Sequence, residues 1–166
     1  MRRKNVAPLI PELVPGPLWG KSAHKMLGGK AVWKKQIHGD TLANSNNCCS
    51  VCKSSKGRMT CHEKWGYNDR LSVATLLGFE LHCSNCDFVA HAGRAFKLGY
   101  GDVVISHFCE MNQCDIEHAA AIFTGAMNVW IERSKKDWRI KVASSLVERY
   151  PELAALPRFV PPPVAY

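Results

Sequence analysis

Two Cys-x-x-Cys pairs, Cys49/Cys52 and Cys83/Cys86, constrain this chain more than any other feature. Two residues between cysteines let one tight knuckle aim both sulfurs at one point, and zinc in structural sites takes four thiolates in a tetrahedron. Residues 53–82 between the knuckles are enough chain for a hairpin to return the second pair beside the first. The spacing therefore predicts a structural Zn²⁺ on these four sulfurs, and a fold that sets residues 49–52 against residues 83–86. Buried free thiols or a disulfide with leftovers are the competing uses. Cys48 could substitute for Cys49, although Cys49 has the conventional two-residue gap to Cys52. Cys109 and Cys114 fall in or between later helical stretches, where packed thiols are expected.

Compartment decides between thiol chemistries. Met1-Arg2-Arg3-Lys4 is followed by Pro8, Pro11, Pro15 and Pro17 instead of an apolar signal region, and no run of about 18 apolar residues occurs. The expectation is a cytoplasmic protein, bacterial or in the host cell of a phage, with reduced thiols and no membrane. A chain of 166 residues, 46% of them apolar, can bury one real core. Its 22 Lys+Arg against 14 Asp+Glu leave a net charge of +8. Such a balance favours polyanions, because each phosphate neutralised releases a counterion. It is equally what a merely soluble basic surface would carry.

Along the chain, residues 1–29 read as a proline-rich N-terminal arm, 30–150 as the zinc domain with C-terminal helices, and 151–166 as a proline-rich tail. A short amphipathic helix is expected from Lys30 to Ala43, strands from Arg58 to Trp65 and from Leu76 to His82, and a helix from Asp87 towards Ala95. Asp102 and Asp115 suit the N-caps of two further helices. In the second, Ile116, Ala119, Ala120, Phe123, Met127 and Trp130 recur at three and four residues, predicting one buried stripe. Trp138 to Val142 alternates as a strand, and Ser144 to Tyr150 suits a short helix. The fold class is α+β.

His62 and Glu63 lie between the knuckles, and Asp87 and His91 follow the second. Asp87 and His91 are four apart, so a helix puts both on one face, where they could bind one ion with His62 opposite. Carboxylate and imidazole suit Mg²⁺, Mn²⁺ or a second Zn²⁺, and such a site hydrolyses phosphodiesters. The same side chains also fit a plain role as hydrogen-bonded surface groups, with Asp87 no more than a helix-start charge.

The stretch Cys49-x-x-Cys52, Cys61-His62-Glu63-Lys64-Trp65-x-Tyr67, Cys83-x-x-Cys86 and His91-Ala92-Gly93-Arg94-Ala95 resembles the HNH endonuclease superfamily, in particular its small bacterial and phage members. Trp130-Ile131-Glu132-Arg133-Ser134 with Trp138 extends the resemblance over roughly residues 30 to 150. It implies a ββα-metal fold with a structural zinc, His62 as the general base, and a helix-borne ligand that holds a catalytic metal against DNA. In that group a histidine usually follows the second knuckle, and Asp87 stands there instead. Cys61 precedes His62, where an aspartate or histidine is frequent. Asn68 lies in the interval of the family's middle asparagine.

A metal-dependent DNA endonuclease is thus expected, with His62, Glu63, Asp87 and His91 as catalytic candidates. Lys64, Arg70, Arg94 and Lys97 are the candidates for nonspecific phosphate contacts. The alternative is an inactive HNH-derived zinc module that binds DNA or, through its proline-rich ends, a protein partner. A zinc-stapled assembly protein without nucleic acid is a third possibility. Oligomeric state has no signature in the sequence.

Overall fold

The computed structural model describes residues 8–27 and 30–155. Two runs rich in branched and aromatic residues form a hairpin. Strands β1 (Met59–Asn68) and β2 (Val73–Cys83) pair antiparallel from Met59↔Cys83 to Asn68↔Val73, with a bulge between Lys64 and Trp65. The turn is closed by the Asn68 side-chain oxygen, which accepts the Leu71 N–H at 3.0 Å. A third strand, β3 (Arg139–Val142), lies parallel to β2, so the order is β1-β2-β3 and β1 is an open edge. Because side chains alternate along a strand, Cys61 turns to one face and His62 to the other.

Helices surround this sheet. A single turn, α1 (Ala23–Met26), precedes helix α2, which runs over residues 30–44 and is wound as a π-helix at Trp33–Ile37. After β2 come α3 (Ser84–Ala90), α4 (Ala92–Lys97), α5 (Gly101–Asn112), α6 (Ile116–Ser134) and, beyond β3, α7 (Ser144–Arg149). The protein is a mixed α+β fold with a small three-stranded sheet. Among the described residues no helix is long and apolar enough to cross a membrane.

Three apolar clusters hold these elements. One gathers Cys49, Cys83 and Cys86 with Val89, Val104, Phe108 and Ala119, tying both knuckles to α3, α5 and α6. The second packs Ile37 of α2 and Tyr150 against Cys61 and Leu76 of the sheet. The third is built on Trp138, fully buried beside Leu18, Ala74 and Ile140, with its indole N–H donated to the Arg133 carbonyl at 2.8 Å.

The N-terminal arm is part of this packing. Leu9, Pro15 and Leu18 are buried, the Glu12 N–H donates to Ala90 O at 2.9 Å, and the Trp130 indole donates to Val14 O at 3.0 Å. The described stretch of the arm therefore packs Leu9, Pro15 and Leu18 on its own chain, while Ile10 and Trp19 stay exposed. Residues 1–7 and the tail beyond 155, including the proline-rich stretch 157–163, lie outside the described residues.

Three local expectations need correction. The helix after β2 starts at Ser84, inside the knuckle, and not at Asp87, so Cys86 is itself helical. Helix α5 begins at Gly101, with Asp102 in its first turn instead of at the cap. The stripe on α6 is only half buried: Ala119, Phe123 and Trp130 face the body, but Ala120 is exposed, Ile116 is 69% exposed and Met127 41%. The contact of α6 with the body runs through Ala119, Phe123 and Trp130, which leaves the flanks of the stripe uncovered.

Asp115 does cap α6, accepting the His118 N–H at 2.8 Å. Asp115→Ala removes that acceptor and leaves the amide without a protein partner. The expected cost is about 1 kcal/mol, read as a lower urea midpoint with unchanged slope.

Candidate metal centres

Each knuckle is fixed by backbone hydrogen bonds. Cys49 N–H donates to Ser54 O at 2.8 Å and Lys53 N–H returns to Cys49 O at 3.0 Å, with Lys53 in the left-handed region at φ +61°. Ser50, between the two cysteines, is stitched to β2: its N–H donates to Leu81 O at 2.6 Å and its hydroxyl accepts the Leu81 N–H at 3.2 Å. That stitch sets the first knuckle beside the end of β2, where Cys83 and Cys86 stand.

One sulfur from each of Cys49, Cys52, Cys83 and Cys86 lies within 4.8 Å of all the others. The Cys52 and Cys83 sulfurs are 3.6 Å apart. This is far beyond a disulfide bond, and close to the separation of about 3.8 Å between thiolates that tetrahedral zinc requires at about 2.3 Å from each sulfur. The four cysteines could bind a metal such as zinc. Without a cation such a group cannot ionise together: the neighbouring Cys83 and Cys86 thiols draw the Cys49 pKa down, while burial pushes Cys52 up to about 11. His107 reaches the Cys86 sulfur at 3.2 Å. Cys48 stays outside the group, its thiol on Asn46 O at 3.4 Å.

A second group forms further along α3. His62, Asp87 and His91 each present a ligand atom within 4.8 Å of the other two. His62 Nδ1 is 3.6 Å and His91 Nε2 3.8 Å from the same Asp87 oxygen, too far to hydrogen-bond and near enough to share an ion. His91 sits where α3 ends and α4 begins, yet its N–H still donates to Asp87 O at 2.9 Å, which preserves the helical four-residue spacing.

Two further side chains, outside the sequence candidates, join this neighbourhood. Glu12, carried in by the arm, accepts from His62 Nε2 at 3.2 Å. His82, on β2, stacks on the His62 ring at 4.3 Å with only 11° between planes. The strand alternation that puts Glu80 and His82 on the face of His62 was the available clue for His82. For Glu12 there was none. Among the described residues, the buried side-chain atoms without a hydrogen-bond partner are His62 Nδ1, both nitrogens of His82 and Asp87 Oδ1, and all belong to this cluster. Such orphaned groups are costly unless a further ligand satisfies them.

The charges are tightly interdependent. Burial pulls the His62 pKa down, but Asp87 and Glu12 outweigh it and push it up to about 9. Burial raises Asp87, and His62 with His91 overcomes that to hold it low. His91 is lowered by burial and by His62. Glu80 is drawn down to about 2, first by His82, whose Nε2 stands 3.6 Å away, and then, against burial, by Lys64. A bound cation would replace these proton-mediated pairings by direct ligation.

The remaining candidates divide. Glu63 accepts from the Trp65 indole at 3.0 Å and from His24 N–H at 3.4 Å, which ties it to α1; it lines the same cavity as His62 without joining the His62–Asp87–His91 group. Lys64 is paired with Glu80, and Arg70 is exposed in the hairpin turn. Arg94 and Lys97 line a cavity of about 810 Å³ that also contains His62, Asp87 and His91. Comparison with protein-family models, with curated proteins and with solved structures finds no match to this chain.

Proposed function

We propose that the chain is a metal-dependent endonuclease of the HNH type that hydrolyses DNA phosphodiesters, its ββα core formed by β1, β2 and α3 and its cysteine group filled by a structural Zn²⁺. One observation carries this: His62 Nδ1 and Asp87 Oδ1 are buried, unpartnered and turned towards each other beside His91, within a cavity reached by Arg94 and Lys97. A divalent cation held by Asp87 and His91 would supply positive charge against a phosphate oxygen. His62 takes the proton of the attacking water. A cation on Asp87 would cancel the carboxylate charge that holds His62 protonated, and Glu12, accepting from Nε2–H, then leaves the lone pair on Nδ1, so the imidazole is oriented for that task. Arg94 and Lys97 bind backbone without reading sequence.

The test is cleavage of supercoiled plasmid and of a single-stranded DNA circle by the zinc-loaded protein with Mg²⁺, Mn²⁺ or Ni²⁺ added. Metal-dependent cleavage is expected, abolished by chelation of the added cation. The seating of Glu12 on His62 favours one second reading, an inactive module in which the arm closes the site. Salt-sensitive binding of DNA with no cleavage under any cation would establish that module and reject the nuclease.

A further inference from the structure

The cavity beside His62 has walls that phosphate cleavage alone does not need. Four of the chain's five tryptophans, Trp19, Trp33, Trp65 and Trp130, line it. Packing does not account for Trp19, which is 60% exposed. Its ring is nevertheless held in place. The indole N–H donates to Val14 O at 2.8 Å, and the ring stacks on Trp130 at 6.1 Å with 22° between planes. Trp130 donates to the same Val14 carbonyl, and the Gly16 N–H just before Trp19 donates to the Ser134 hydroxyl at 3.0 Å. Gly20 then turns the chain away at φ +77°, a conformation that side chains disfavour. The Lys97 ammonium lies 5.9 Å from the Trp19 ring centre.

A rigid, solvent-facing aromatic surface beside cations is the chemistry of a base-stacking platform: the ring takes a base and the cation takes its phosphate. In a duplex both faces of a base are covered by its neighbours, so these walls gain nothing from paired DNA. An unpaired base offers a free face, at no unstacking cost in a strand that is already single.

We propose that this cavity receives an unpaired nucleotide of single-stranded DNA, its base on the Trp19–Trp130 pair and the adjoining phosphates on Lys97 and Arg94, so that the strand passes His62. This deepens, and rests on, the nuclease reading of the same site.

The experiment measures anisotropy of a labelled 12-nucleotide strand, and of the same strand annealed to its complement, on the zinc-loaded protein with no other divalent cation. The strand is expected to bind at least tenfold more tightly than the duplex. Trp19→Ala should weaken strand binding by roughly 5- to 150-fold, the range for loss of one stacked base. It should leave duplex binding within about twofold, and Trp19→Phe should restore most of the strand affinity. Equal affinity for strand and duplex, or strand binding indifferent to Trp19→Ala, would overturn the proposal. The two readings fail separately. Metal-dependent cleavage of duplex and strand at equal rates rejects the single-strand site and keeps the nuclease, whereas Trp19-dependent strand binding without cleavage under any cation rejects the nuclease.

Discussion

Replacing Cys83 and Cys86 together by serine is expected to give a chain that holds no zinc and does not fold. These two sulfurs stand where β2 passes into α3, and the Ser50–Leu81 stitch sets their partners Cys49 and Cys52 beside them. Cys49, Cys83 and Cys86 are also buried members of the cluster that joins α3, α5 and α6. Structural zinc contributes about 10–16 kcal/mol of apparent binding free energy near neutral pH. A whole domain is stable by about 5–15 kcal/mol, so losing the ion exceeds what the apolar clusters can absorb. Elemental analysis should find about one zinc per wild-type chain and none in the double variant. Far-UV circular dichroism of the variant should lack the native signal and its cooperative melt. Cys109→Ser, outside the four-sulfur group, should change neither. A double variant that melts cooperatively near the wild-type temperature would refute the zinc staple.

What the sequence disclosed and what it withheld divide along physical lines. The convergence of Cys49, Cys52, Cys83 and Cys86 was legible because ligand spacing is local and a hairpin between the knuckles is a short-range event. So was the meeting of Asp87 with His91, which needs only one turn of helix. The helix start was misplaced because Cys86 reads as a knuckle residue while its backbone is already helical, a distinction set by how α3 packs and not by residue type. On α6 the period of the apolar residues was real, but period gives direction and not depth. How far Ile116 and Met127 are covered depends on the width of the body beneath them. Glu12 was beyond reach for a stronger reason: it meets His62 across fifty positions, on an arm whose path is fixed by Leu9, Val14 and Gly16 docking on α5 and α6. Nothing in the residues around Glu12 encodes that route.

His62→Ala should lower the rate of metal-dependent DNA cleavage by about 10²- to 10⁴-fold, the range over which a positioned acid–base group acts. DNA binding should stay within about threefold, because the phosphate contacts belong to Arg94 and Lys97 and not to the imidazole. The ring is buried between His82 and the carboxylates of Glu12 and Asp87, so truncation also removes packing and leaves two acids without their shared partner. His62→Gln separates these effects. It keeps volume and an amide that can still donate to Glu12, but it supplies no base near neutral pH, so its cleavage should be as slow as that of the alanine variant while its melting temperature stays nearer the wild type. If both variants cut DNA at the wild-type rate, His62 is not the base. If His62→Gln is fully active while His62→Ala is not, the imidazole only shapes the site and is not the base.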